Sequence, residues 1–298
     1  MSKTDKQDRP KKRRGDRRDA TLVRDTDTMH KFMPYLIPGR CNNEAFIEEF
    51  IDLEQINAFL EKKNASDPEY RYTLFHVIAA AIAKVFYLRP HMNRFYAGDR
   101  LYQRDRIVLS FVAKRRFSDN GEEALIFLPC DENTTVDTVH DDICKKVSRV
   151  REGGEQDHST DMMDILVKFP RFILRLIRRL LYWTYYHDWT PNDLISEDPY
   201  QASVFISNLG SIKLNAAYHH LTNWGSNSVF AVIGKKGQYV TVNDDGKAEI
   251  REQVKIGITL DERIADGYYY AKTIKLLRYI LHHPEILELP AKEEVDYE

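Results

Sequence analysis

ITLDERIADGYYYAK, Ile258 to Lys272, reads as a strand, a tight turn and the start of a helix. The turn carries an acid and a base at Glu262 and Arg263, then an acid-glycine pair at Asp266 and Gly267. Two readings stand at this point, a catalytic loop or plain punctuation between two elements.

Working outward, SVFAVIGKK, QYVTVND and EIREQVKIGITLDE read as strands before the turn, and ASVFISNLGSI as another further upstream. DGYYYAKTIKLLRYILHH reads as a closing helix, with His282 and His283 as C-terminal capping residues. Near the N-terminus, AFIEEFIDLEQINAFLEKKN passes from strand to helix at Asp52, placing Leu53, Ile56, Phe59 and Leu60 on one face. TLFHVIAAAIAKVFYLRP is a buried helix ending at Arg89 and Pro90, and its His76 reads as a core-edge residue. RLYQRDRIVLSFVAKRR gives strands, EEALIFLPC another, and TTVDTVHDDICKKVSRVREG a capped helix. This alternation, without a long repeat or break, predicts one α/β domain with a mixed sheet. No Gly-rich phosphate fingerprint follows any strand, which argues against Rossmann or P-loop nucleotide binding.

The stretch near 163–189 stands apart. Lys168, Arg171, Arg175, Arg178 and Arg179 recur at three- and four-residue steps, a cationic stripe on a helix beginning near Pro170. Apolar and aromatic residues fill the rest of its surface, and the charges interrupt it too often for a membrane span of about 20 apolar residues. Three readings stay open: a helix packed on its own domain, a cover for a hydrophobic substrate, or a peripheral membrane contact.

The bulk numbers bound the partners. A net charge of −2 on 298 residues gives no field to draw nucleic acid or an anionic membrane to the whole molecule, so no specific nucleic acid partner is expected. Cys41, Cys130 and Cys144 are few and widely spaced, without C-x-x-C pairing. That suits a reducing, cytoplasmic setting and predicts neither a disulfide framework nor a metal site. Residues 1–28 are charged, poor in apolar side chains and basic at Lys11 to Arg14, Arg17 and Arg18, and are expected to form a disordered arm rather than a signal or anchor. An acidic tail, 291–298, ends the chain.

Two segments then coincide with a known pattern. ITLDERIADGYYYA resembles the strand, H-x-x-x-D-G turn and helix of the chloramphenicol acetyltransferase superfamily, most closely the D-H-R-x-x-D-G form of the catalytic cores of dihydrolipoyl acyltransferases from 2-oxoacid dehydrogenase complexes. VFISNLGSI is similar to the T-I-S-N-L-G strand of the same cores. MHKFMPYLIPGRCNNEAFIEEFIDLEQI, FHVIAAAIAKVFYLRPHMN with its P-x-x-N end, and GDRLYQRDRIVLSFVAKR are similar to their opening elements, next helix and following hairpin. The resemblance covers 29–290, with the helix near 163–189 as an insertion. It implies a two-layer sandwich with a mixed β-sheet, a homotrimer with active sites between neighbouring subunits, and coenzyme A or acyl-CoA as a substrate, without a metal.

Residue by residue, the resemblance implies that Ser207 donates to the oxyanion, that Asp266 holds the turn through a basic partner and that Gly267 serves the tight turn. Asn208 and Gly210 fall beside the substrate, Arg263 in the turn, and the place of the histidine base is taken by Glu262. Imidazole titrates near ~6.5 and a carboxylate near ~4.3, against about 8.5 for a thiol, so a Glu base starts with roughly 3 kcal/mol less driving force. Burial would recover part of it. Alternatively, Glu262 pairs with Arg263 or another cation and does no chemistry, or His219 or His220, in the segment after the Ser207 strand, supplies the imidazole. The N-terminal arm leaves no room for a lipoyl domain, so no lipoyl group is expected on this chain and a lipoyl or other acyl carrier would arrive in trans. The expected function is a CoA-dependent acyltransferase acting on a thiol or hydroxyl acceptor; the alternative is a catalytically inactive trimeric scaffold or ligand-binding homologue.

Overall fold

The computed structural model describes residues 12–114, 123–151, 167–191, 195, 198–243 and 245–297. In chain order the elements are β1 (Ala20–Leu22), α1 (Thr28–Leu36), β2 (Glu44–Asp52), α2 (Glu54–Asn64), α3 (Leu74–Leu88), β3 (Arg94–Ala97), β4 (Arg100–Arg104), β5 (Ile107–Lys114), β6 (Glu123–Cys130), α4 (Val136–Arg151), α5 (Arg171–Tyr186), β7 (Val204–Asn208), β8 (Val229–Val242), β9 (Ala248–Asp261) and α6 (Gly267–His282). The main sheet has the order β2-β9-β8-β7-β5-β6, and β1-β4-β3 form a smaller one. β7 runs parallel to both β5 and β8, while the other main-sheet pairs are antiparallel, so the sheet is mixed as expected.

Strand alternation sets the two layers. Val204 and Ile206 of β7, with Val229, Ala231 and Ile233 of β8, join the large core shared with α3 and α6, whereas Phe205, Phe230 and Val232 form a separate cluster on the opposite face. Every residue of α3 from His76 to Phe86 is buried, between the sheet and the helices α4 and α6. Across the opposite face runs an extended strap, residues 213–223, whose Leu221 is buried against Phe205, Phe230 and Val232. Glycines let it lie close: a Cβ on Gly234 would meet Ala216 N at 2.4 Å, and one on Gly257 would meet Ala217 O at 2.6 Å.

Where SVFAVIGKK and QYVTVND read as two strands, β8 is continuous, with a register shift between Ile233 and Lys236. β8 and β9 therefore project together beyond β2, which ends opposite Gln253, and beyond β7, which ends opposite Ile233. The projecting arm pairs Val240 with Ile250 and leaves them 73% and 71% exposed.

The N-terminal segment departs from the solvated arm expected as far as residue 28. From Lys12 onward it is packed: β1 pairs with β4, and Arg17, 3% exposed, donates from Nη1 to Tyr185 O at 3.0 Å and lies 3.3 Å from Asp188. Composition counts these charges as solvated, but here they meet carbonyls and carboxylates that compensate their desolvation. At the other end of the chain the tail also packs, with Val295 and Tyr297 against the main core. Residues 1–11, residues 163–166 of the expected insertion and Glu298 lie outside the described residues.

Candidate active site

The turn that ends β9 is built on a buried carboxylate. Asp261, 0% exposed, accepts from Arg263 Nε at 2.8 Å (Oδ1) and from Arg263 Nη2 at 2.7 Å (Oδ2), with Arg40 Nε 3.7 Å from Oδ2. Arg263 also donates to the carbonyls of Ile37 and Pro38, at 3.0 and 3.2 Å, which ties the turn to the chain after α1. Arg40 donates to Thr222 O at 2.7 Å, and burial pulls its pKa below the ordinary arginine value, against the field of Asp261. One aspartate thus gathers β9, the start of β2 and the end of the strap.

Arg263 is therefore no partner of Glu262. Glu262 is exposed, its N–H donates to Asn43 O at 2.9 Å, and its carboxylate makes no ion pair among the described residues. Asp266 differs from expectation as well. In place of a basic partner it has a capping role: its carboxylate accepts from Tyr269 N at 2.8 Å and caps α6, whose first residue is Gly267.

Ser207 sits at the C-terminal end of β7, on the strap-covered face, half-buried and without a hydrogen-bond partner for its hydroxyl among the described residues. Asn208 turns the chain, its Oδ1 accepting from Ser211 N at 3.3 Å, and Gly210 lies against the Gly234 carbonyl. Ser207 lines a cleft of about 340 Å³ with Phe75, Phe111 and Ile212. A larger cleft, about 740 Å³, shares Asn208 and Ser211 with it and is also lined by Asn57, Asn64, Arg71 and Lys236. Lys236 donates to Asn57 Oδ1 at 3.1 Å.

The sheet register fixes how far apart the two site halves lie. Ser207 pairs with Val232, and Val232 with Gly257. Glu262 lies beyond Gly257 by five residues of β9 and its turn, about 17 Å at the strand rise, and two strands to the side. Within one subunit these side chains do not meet. His219 is nearer: its ring stacks on Phe230 at 4.1 Å, and Phe230 is a diagonal neighbour of Ser207, about 7–8 Å across the sheet. Its Nδ1 lies 2.9 Å from His220 O, which leaves Nε2 as the basic nitrogen when the ring is neutral; His220 Nδ1 likewise meets Leu221 O at 2.8 Å. Both histidines are exposed.

No protein-family model matches the sequence, and no curated protein matches it. Solved structures do. The chain is similar to the cubic core of the pyruvate dehydrogenase multienzyme complex, with a TM-score of 0.59 at 13% identity over 90% of this chain and 95% of that one. It is similar to Azotobacter vinelandii dihydrolipoamide acetyltransferase, in a structure addressing a serine, a histidine and an asparagine in the catalytic mechanism, with a TM-score of 0.58 at 14% identity, covering 90% and 95%. Chloramphenicol acetyltransferase follows, with a TM-score of 0.52 at 13% identity, covering 88% and 99%. The fold is that of the chloramphenicol acetyltransferase-like acyltransferase cores.

Within this acyltransferase-like fold, several residues escape sequence reading. Asn57 lies on α2, Arg71 in the loop before α3 and Lys236 on β8, and they converge only in the larger cleft. Asp261 and Arg263 carried a usable signal, an acid at a strand end followed two residues later by a base, which Asp261 caps as the chain turns. His76, read as a core-edge residue, is buried at the start of α3, where its Nδ1 accepts from Thr73 N at 3.1 Å; burial, with His140 beside it, pushes its pKa down to about 4. His283 is the C-cap of α6 through its backbone N–H, whereas His282, also expected to cap, is the last residue of the helix itself. The three cysteines are free, and among the described residues no His, Cys, Asp and Glu cluster could hold a metal ion.

Proposed function

We propose that the chain is an acyltransferase that moves an acyl group between coenzyme A and a thiol or hydroxyl acceptor, with Ser207 donating to the oxyanion of the tetrahedral intermediate. The observation that carries this reading is the placement of Ser207: a hydroxyl at a strand end, unpartnered among the described residues, beside a cleft flanked by Arg71 and Lys236. Positive charge there suits the phosphates of a coenzyme A arm whose pantetheine runs toward Ser207. A base takes the acceptor's proton as the acceptor attacks the thioester carbonyl. The oxyanion collects beside Ser207, and its collapse expels the coenzyme A thiolate. The acyl donor or acceptor, a lipoyl protein among the candidates, arrives in trans.

In this reading the active unit is a homotrimer, and Glu262 of one copy meets Ser207 of the next. The separation of the two along the sheet supports that, as does the exposed Val240 and Ile250 arm, which a neighbouring copy would cover. Covering would also shut Glu262 away from bulk water beside the acceptor. A second reading, a trimeric scaffold without catalysis, is favoured by the carboxylate that stands where an imidazole is expected.

Incubation with acetyl-CoA and a panel of thiol and hydroxyl acceptors, alongside Ser207→Ala and Glu262→Gln, separates the two. Transfer that falls by about tenfold or more in both variants supports the enzyme. Absence of transfer together with absence of coenzyme A binding by calorimetry leaves the scaffold.

A further inference from the structure

Among the described residues, α5 is fastened at its C-terminal end. Tyr185 is its buried residue, clamped by the Arg17 guanidinium 4.7 Å above its ring, while Tyr182 and Tyr185 lie 5.5 and 5.4 Å from Trp224. Arg18 N donates to Asp188 Oδ2 at 2.8 Å, and Gly98, at φ +55°, lets β3 and β4 approach the Tyr186 carbonyl. From Arg171 to Leu181, by contrast, no side chain makes a hydrogen bond or ion pair among the described residues.

Helical geometry divides the surface of α5 into three sectors. Ile177, Leu181 and Tyr185 turn toward the body. Phe172, Leu176, Leu180 and Trp183, spaced at i, i+4, i+8 and i+11, form one outward stripe, with Phe172 71% and Leu176 66% exposed. Beside it run Arg171, Arg175, Arg178 and Arg179, all exposed, and the helix has no acidic residue to pair with them. A stripe this apolar left in water has a large uncompensated hydration cost.

We propose that this face of α5 docks on the surface of a bilayer containing anionic phospholipid. The apolar stripe enters the headgroup boundary, Trp183 sits at the level of the interface, and the arginines meet the phosphates. Charge selects this occupant. A second copy would bring four arginines against four of the same sign, and a nucleic acid has no use for a leucine and phenylalanine stripe. No described helix is long and apolar enough to cross a membrane, so the contact is peripheral. The arginines also fit the electrostatics: an anionic leaflet attracts cations that lie within a Debye length of its surface, about 10 Å at 0.1 M salt. The surface is independent of the active-site reading, so each can fail without the other.

Flotation of the full chain with phosphatidylcholine vesicles, with and without phosphatidylglycerol, tests the assignment. The wild type is expected to float with the anionic vesicles only, and to be released by high salt. R175E/R178E and, separately, L176S/W183A should lower the bound fraction by about tenfold or more. K145E/K275E, exposed lysines on α4 and α6, should float as the wild type does. Circular dichroism and gel filtration check that each variant is folded. A wild type that stays with the soluble fraction, or an R175E/R178E protein that floats equally well, overturns the proposal. Retention on an immobilised acidic peptide without flotation overturns it too, in favour of a protein partner.

Discussion

Arg263 grips Asp261 with both prongs of its guanidinium, Nε to Oδ1 at 2.8 Å and Nη2 to Oδ2 at 2.7 Å, and the two side chains are 2% and 0% exposed. A pair so enclosed gains little over an apolar substitute of the same shape, yet loses heavily when one half is removed. Asp261→Asn leaves Arg263 and Arg40 facing each other without their shared counter-charge. It should cost about 3–5 kcal/mol in denaturant unfolding, and Arg263→Met should cost about as much. The double variant D261N/R263M should be less unstable than the sum of the two. Strict additivity would show that the pair is not the unit holding this turn.

Ser207 offers the opposite profile. Half-buried and without a partner among the described residues, its hydroxyl contributes little to the fold, so Ser207→Ala should change stability by less than about 0.5 kcal/mol. Turnover, on the reading above, should fall by about 10²–10³-fold. A loss of both together would mark Ser207 as structural.

The strap gives a third test. A Cβ at Gly234 would approach a backbone nitrogen, Ala216 N, at 2.4 Å, and backbone cannot swing aside as a flexible side chain does. Gly234→Ala should therefore cost about 1–3 kcal/mol, measured by thermal unfolding, and shift the strap that carries His219. An unchanged midpoint would mean that the strap does not rest on β8 in solution.

The strand, turn and helix around Glu262 were legible because the quoted stretch carries its own punctuation, and the order of the motifs fixed the mixed sheet around it. Legibility failed wherever burial decides the meaning of a charge. Arg17 belongs to a run of basic residues and reads as solvent-facing until Tyr185 and Asp188, more than 160 positions away, close over it. Asp261 and Asp266 flank Glu262 in one turn, and only their surroundings separate the buried ion-pair partner from the exposed helix cap. The distance from Ser207 to Glu262 is equally invisible to motif reading, because it follows from the register of three paired strands.

His76 predicts a pH response. In an unfolded chain it titrates near ~6.5, whereas in the fold burial, with His140 second, holds it down to about 4. Between these values the unfolded state binds more protons, so this residue's contribution is undiminished above about pH 6.5 and stability falls as pH drops toward 4. The loss is at most between about 3 and 4 kcal/mol, at about 1.4 kcal/mol per pH unit. Protonation would also end the acceptance by Nδ1 of the Thr73 N–H. Urea unfolding of His76→Gln should show a shallower decline over that window than the wild type; parallel curves would remove His76 from the account.

The two possible bases can be told apart by mixing subunits. Ser207 and Glu262 lie too far apart in one chain to act together, so a site that uses both must draw them from two copies. Ser207→Ala and Glu262→Gln proteins, each weak alone, should then regain part of the wild-type activity when unfolded and refolded together, because mixed assemblies contain an interface with both side chains intact. Glu262→His should raise turnover above the wild type, since imidazole is the better-matched base near neutral pH. His219 acts differently: it shares a sheet face with Ser207 in the same chain, and its Nε2 is the basic nitrogen of the neutral ring. If His219 is the base, His219→Ala should abolish transfer, Glu262→Gln should leave it intact, and mixing should restore nothing to the Ser207→Ala chain. The test is a transfer assay on the mixed and unmixed proteins, and recovery on mixing with a silent His219→Ala places the base at Glu262.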